Sequence, residues 1–207
     1  MSRAFVAGAS EWSAEAGPPR AELLTRTQRA GAEFCTRILA HVIAEATARA
    51  LVEPSTIPWV LGSAVDSPSW LTPDAPLRRA LQPSSGVGIV HAGPGTAAMC
   101  LVEAIALVDD SDAVLVALAQ DATSPYHEAL AVAFVLTAAP REGGLVLETP
   151  VLRRTRESTR RTESEHPLKA LLDVARAVSV GQPTVQTVAP GPPDRPERWQ
   201  IELGRPF

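Results

Sequence analysis

The residues that could do chemistry in this sequence are two cysteines, four histidines, a cluster of arginines and one short glycine-proline turn. The turn, His91-Ala92-Gly93-Pro94-Gly95-Thr96, stands between an apolar run and a helical pattern. A helix that starts there offers N–H groups to a carboxylate, phosphate or thioester oxygen. The turn itself supplies no thiol, and it is too short for a phosphate-binding loop and lacks that loop's Lys. His91 reads either as a ligand contact at the helix start or as a strand-end histidine satisfied by a backbone carbonyl. Thr96 fits an N-cap, with Pro94 and Gly95 shaping the approach.

Cys100 follows Gly93 by nearly two helical turns and sits among Met99, Leu101 and Val102, which predicts a packed thiol. Cys35 also lies in an apolar periodic segment. Neither spacing suits a zinc site or a disulfide framework, and a reducing cytoplasm fits. Asp109, Asp110 and Asp112 lack the Gly and distal Glu of a calcium loop and read as a solvated turn, so no metal is expected. Asp121, Ser124, Tyr126 and His127 follow an apolar strand, where α/β proteins often hold ligands, but adjacency makes no catalytic triad. Arg153, Arg154, Arg156, Arg160 and Arg161 alternate with Ser, Thr and Glu. They read as an exposed loop that either steers an acidic partner or is merely solvated. No cofactor motif stands out.

The elements that must position these residues follow from periodicity. The chain has 207 residues, 45% hydrophobic but only 4% aromatic, so its core is built from Ala, Val and Leu. The formal charge of -4 argues against nucleic acid or an anionic membrane as a global partner, and no run approaches a membrane span. The start of the chain does not read as a secretory signal, so the protein is expected to be soluble and cytoplasmic. Strands are predicted over 3–9, 57–64, 86–92, 113–119, 129–138, 144–149 and 199–203. Helices are predicted over 21–51, 76–81, 96–108 and from Pro167 to Gly181. Strand, helix, strand from 86 to 119 implies a right-handed crossover and a parallel pair. The strands over 129–138 and 144–149 suggest an antiparallel hairpin, so the sheet is mixed, and the last strand is expected at an edge. The helices over 21–51 and 96–108 read as apolar on both faces.

Several phrases then resemble the amino-terminal part of the ketoacyl-synthase-like family, whose members share the thiolase-type fold. They are Phe5-Val6-Ala7-Gly8-Ala9-Ser10-Glu11-Trp12-Ser13, Val60-Leu61-Gly62-Ser63, and Ala92-Gly93-Pro94-Gly95-Thr96 running through Leu101-Val102-Glu103-Ala104 into Ala113-Val114-Leu115-Val116-Ala117, with His166-Pro167-Leu168 similar as well. The resemblance implies an α/β thiolase-like half-domain, a mixed, mostly parallel sheet packed with helices. Its core would span 1–150, the Arg-rich loop 151–166, and a helix and edge strand over 167–207 would complete the same domain. In active members a cysteine stands at the start of the helix, and by the Ala92 match that position here is Gly93. Their two active-site histidines belong to a second half that this sequence does not match. The connection from Ser63 to Val87 is short beside the family's pattern.

The resulting expectation is a non-catalytic ketosynthase-like protein, a structural or regulatory partner in polyketide-like or fatty-acid-like biosynthesis. It would form a homodimer, or a heterodimer with a ketosynthase, and could meet an acyl carrier protein. The alternatives are an acyl-thioester-binding protein or acyltransferase with an atypical site at His91, His127 or Cys100, and an interaction module using the Arg-rich loop.

Overall fold

The computed structural model describes residues 3–63, 74–81, 83, 86–120, 122, 128–140, 144–154, 168–188 and 197–206. The first strand, β1 (Arg3–Ser13), runs past Gly8 rather than ending at Ala9. Gly8 does not stop it, because Ala7 is accommodated as an extra residue between Val6 and Gly8 in the pairing with β5 (Leu130–Thr137). The missing side chain at Gly8 has another use. A Cβ there would overlap the Ala46 carbonyl and lie 2.9 Å from the Ala50 nitrogen, so only glycine lets the next long helix pack this closely.

The predicted helix over 21–51 is two helices, α1 (Arg26–Gly31) and α2 (Phe34–Ala50). Gly31 ends the first, Ala32 is extended, and Glu33 at φ -60°, ψ 157° starts the second. Thr25 and Gln28 form a reciprocal capping box on α1, a signal overlooked behind the longer apolar periodicity. Next come β2 (Trp59–Ser63), α3 (Asp74–Leu81), β3 (Val87–His91), α4 (Thr96–Val108) and β4 (Ala113–Gln120). Helix α4 has the predicted bounds. Then follow β5, β6 (Leu145–Glu148), β7 (Val151–Arg154), α5 (Lys169–Ser179), β8 (Thr184–Val188) and β9 (Glu197–Gly204).

The sheet is mixed. Parallel pairing joins β3 to β2 and β2 to β4, and the six other pairings among described residues are antiparallel, so the parallel part is smaller than expected. The expected hairpin of β5 and β6 does not form, because β1 lies between them and pairs with both. Nor is β9 an edge. Trp199 and Gln200 pair with both β7 and β8, and Leu203 pairs with both β6 and β8, so β6 and β7 lie along one side of β9 and β8 along the other. Thr184-Val185-Gln186-Thr187-Val188, absent from the predicted strands, carries the β-branched composition of one.

Strand alternation divides the interior into two layers. Leu115, Ala117, Ala131, Ala133 and Val135 face α2, whereas Val114, Val116, Leu118, Val132 and Phe134 face α4 and α5. Both central strands are buried along their whole length, as a sheet covered by helices on both faces requires. Helix α2 is covered on its second side by the chain itself, since Ala21, Leu24 and Leu77 join its cluster. Helix α4 differs. Met99 and Val102 are half-buried, and Glu103 and Ala106 are exposed, which leaves a largely apolar stripe at helical spacing on its outer side.

Candidate functional site

The turn from His91 to Thr96 sits where β3 gives way to α4. Gly93, Pro94 and Gly95 form a single 3-10 turn that runs directly into the helix. Gly93 has φ of 53°, a left-handed conformation natural to glycine, and the space where its Cβ would stand is open. Thr96 is not the N-cap expected from the sequence, because Gly95 holds that place and Thr96 is the first helical residue. Its hydroxyl turns back instead. It accepts from the Ala92 N–H at 2.8 Å and donates to the Gly93 carbonyl at 2.8 Å, so both ends of the turn are tied to one buried oxygen.

Gly62 sets how closely α4 approaches the sheet. A Cβ at Gly62 would overlap the Cys100 sulfur, lie 2.9 Å from Thr96 Cγ2 and 3.2 Å from Leu118 Cδ2. Cys100 therefore fills the hollow over Gly62 and is fully buried, as its apolar neighbours predicted. Burial pushes its thiol well above the ordinary value of 9.0, and the Glu103 carboxylate adds to the effect. Such a thiol is protonated and inaccessible, the reverse of an activated nucleophile. Cys35 is likewise a buried free thiol.

His91 is exposed at the end of β3. Asp109, Asp110 and Asp112 are exposed, and the described residues contain no group of three or more His, Cys, Asp or Glu that could hold a metal. Asp121, Ser124, Tyr126 and His127 lie outside the described residues, as do Arg156, Arg160 and Arg161. Arg153 and Arg154 do not begin a loop. They belong to β7, where Arg153 is exposed and pairs in register with Arg198, while Arg154 pairs with Glu197. The sequence reading missed Gln120, which ends β4 and is 5% exposed with neither amide atom hydrogen-bonded. Its signal was a lone polar residue closing the run Ala113-Val114-Leu115-Val116-Ala117-Leu118-Ala119.

No helix among the described residues is long and apolar enough to cross a membrane. No protein-family model and no curated protein matches the sequence. Solved structures do match. The chain is similar to 3-oxoacyl-(acyl carrier protein) synthase III from Xanthomonas oryzae pv. oryzae, with TM-score 0.62 and 10% identity, covering 99% of both chains. It is similar to a ketosynthase, ApeO, in complex with its chain length factor, ApeC, from Xenorhabdus doucetiae, with TM-score 0.55 and 15% identity over 87% of this chain and 82% of that one. It is also similar to the acyltransferase ChlB3, with TM-score 0.54 and 16% identity over 74% of this chain, and it spans about half (55%) of ChlB3. The chain thus has the β-ketoacyl-synthase-like thiolase fold.

Proposed function

We propose that this chain is a non-catalytic ketosynthase-like protein, a structural or regulatory partner within polyketide-like or fatty-acid-like biosynthesis. The observation that carries this reading is the state of the turn. Gly93 has no side chain to acylate, and the turn's one hydroxyl, on Thr96, is buried and engaged on both sides by backbone groups. A condensing enzyme needs an activated nucleophile at a helix start, beside N–H groups that meet the developing oxyanion. The fold keeps the helix start and the chain leaves the nucleophile out. Two free cysteines fit a reducing cytoplasm.

A partner role asks for a surface, and β3 supplies one. It pairs only with β2 among the described residues, its sequence Val87-Gly88-Ile89-Val90-His91 carries no Pro, Lys or Glu, and Ile89 is 40% exposed. Natural edges of this kind are usually blunted by charge, bulge or cover. The neighbouring stripe on α4, Met99, Val102 and Ala106, would be buried in the same contact. This narrows the expected reason for association, since α2 is already covered from within. The partner is a second copy or a complete ketosynthase, in keeping with the ApeO and ApeC complex. Arg153 beside Arg198 further favours an acidic visitor such as an acyl carrier protein.

Sedimentation velocity at micromolar concentration tests the association. The wild-type chain is expected to sediment as a dimer, alone or with a complete ketosynthase, and Ile89→Lys as a monomer. A wild-type chain that stays monomeric under both conditions would contradict the partner role.

A further inference from the structure

The free edges of this sheet differ in how they are guarded. β7 pairs only with β9 among the described residues, but its four residues include Arg153 and Arg154. β1 has β6 beside it only from Arg3 to Val6, and along its open half Arg49 donates to the Ala9 carbonyl. Cations at a free edge oppose the addition of another strand. β8 has no such guard. Its five residues, Thr184-Val185-Gln186-Thr187-Val188, are uncharged, and it pairs only with β9 among the described residues.

Register fixes what this bare edge presents. Thr184 and Gln186 oppose Leu203 and Ile201 of the core, so they face inward, and Gln186 Nε2 donates to Thr184 Oγ1 at 3.1 Å. Val185 and Thr187 face the other way and are exposed. Val185 is 54% exposed, and Val180, at the end of the helix that packs on β8, is 66% exposed. A strand edge flanked by exposed apolar side chains is a template for another strand.

We propose that β8 is a self-association edge, to which β8 of a second copy adds antiparallel about Gln186. A two-fold axis at Gln186 sets that residue against itself, Val185 against Thr187, and Thr184 against Val188. Every cross-strand pair is then uncharged, and the outer pairs are β-branched residues, which pack well across antiparallel strands. Glu202 borders the edge as the register partner of Val185. Its two copies stand at least three strand spacings apart, about 14 Å, beyond a screening length of about 8 Å at physiological salt, so the charge does not oppose the contact. β3 and β8 lie at opposite ends of the sheet, so this contact is separate from the one at β3 and does not rest on the partner role.

The test uses the full chain carrying Ile89→Lys, which removes the β3 contact, with Gln186→Cys added under mild oxidation. Cys35 and Cys100 are buried and stay out of reach. Directly opposed residues of antiparallel strands have Cα atoms about 4.5–5.5 Å apart, within disulfide reach. A disulfide-linked dimer is expected on a non-reducing gel, in several-fold higher yield than from Val185→Cys, whose side chain is exposed but faces Thr187 of the other copy. Adding Thr187→Lys should abolish the link. Sedimentation of Ile89→Lys alone at several hundred micromolar should show a dimer that the Ile89→Lys, Thr187→Lys double variant lacks, and this arm keeps native Gln186 in case the cysteine variant fails to fold. Equal yields from Gln186→Cys and Val185→Cys would overturn the proposal, as would a link that survives Thr187→Lys or an Ile89→Lys chain that stays monomeric at that concentration. A wild-type chain that is monomeric at micromolar concentration would remove the partner role and leave this test unaffected.

Discussion

Gly93 combines a left-handed backbone with open space in the direction of a side chain, so a substitution there is limited by backbone strain and not by crowding. Gly93→Cys is expected to fold with a loss of about 1–2 kcal/mol, the cost of holding an L-residue in that conformation. Its new thiol should alkylate rapidly in the native state. Chemical denaturation and timed iodoacetamide labelling check both parts, and a variant that fails to fold would show that position 93 is more confined than its open surroundings indicate. Cys100 should behave in the opposite way. Its folded thiol is raised above the ordinary value of 9.0, first by burial and then by Glu103. Below about pH 9 the proton is bound in both states and the contribution to stability is complete. As pH climbs above that value the unfolded chain releases the proton while the folded chain retains it. Stability should then fall by up to about 1.4 kcal/mol per pH unit from this group. Unfolding measured from pH 8 to 10.5 should show that slope in the wild type and a flatter one in Cys100→Ala.

Packing of α4 on the sheet depends on a glycine and a sulfur sharing one hollow. Gly62→Ala is predicted to destabilise by about 1–3 kcal/mol, the usual range for overpacking a close-packed core. Adding Cys100→Ala should recover part of that loss, because the sulfur is the atom that the new methyl would overlap, while Thr96 Cγ2 remains close. A double-mutant cycle by urea denaturation measures the coupling, and strictly additive losses would contradict the shared hollow. At this scale the sequence was informative wherever periodicity was unbroken. Helix α4 emerged with its exact bounds, and β4 and β5 to within a residue at each end, because their apolar runs are uninterrupted. Boundaries failed where local punctuation competed with periodicity. Gly31 divides an apolar stretch that looked continuous, and Gly8 looked like a stop but serves the contact with α2. Thr96 has the side chain of an N-cap, yet the 3-10 turn before it moves that position to Gly95.

Long-range order was harder to read than any element. The insertion of β1 between β5 and β6 joins residues more than 115 positions apart, and local patterns favoured a hairpin between sequence neighbours. The two-sided pairing of β9 was hidden for the same reason, since its partners β6 and β7 precede it by some 50 residues. The family resemblance carried what periodicity could not. It led to the thiolase fold through Gly62, the Ala92 to Thr96 turn and the β4 run, and each occupies a structural position that explains its residue type. Gln120 escaped because an amide at the end of an apolar strand resembles an ordinary strand terminus until its burial and missing partners are known. The central claim, a condensing-enzyme architecture without its nucleophile, meets its most direct test in intact-protein mass spectrometry after incubation with an acyl thioester at neutral pH. The account predicts an unmodified mass for the wild-type chain. A stable acyl adduct on Cys100, or on any other residue of the native protein, would contradict it.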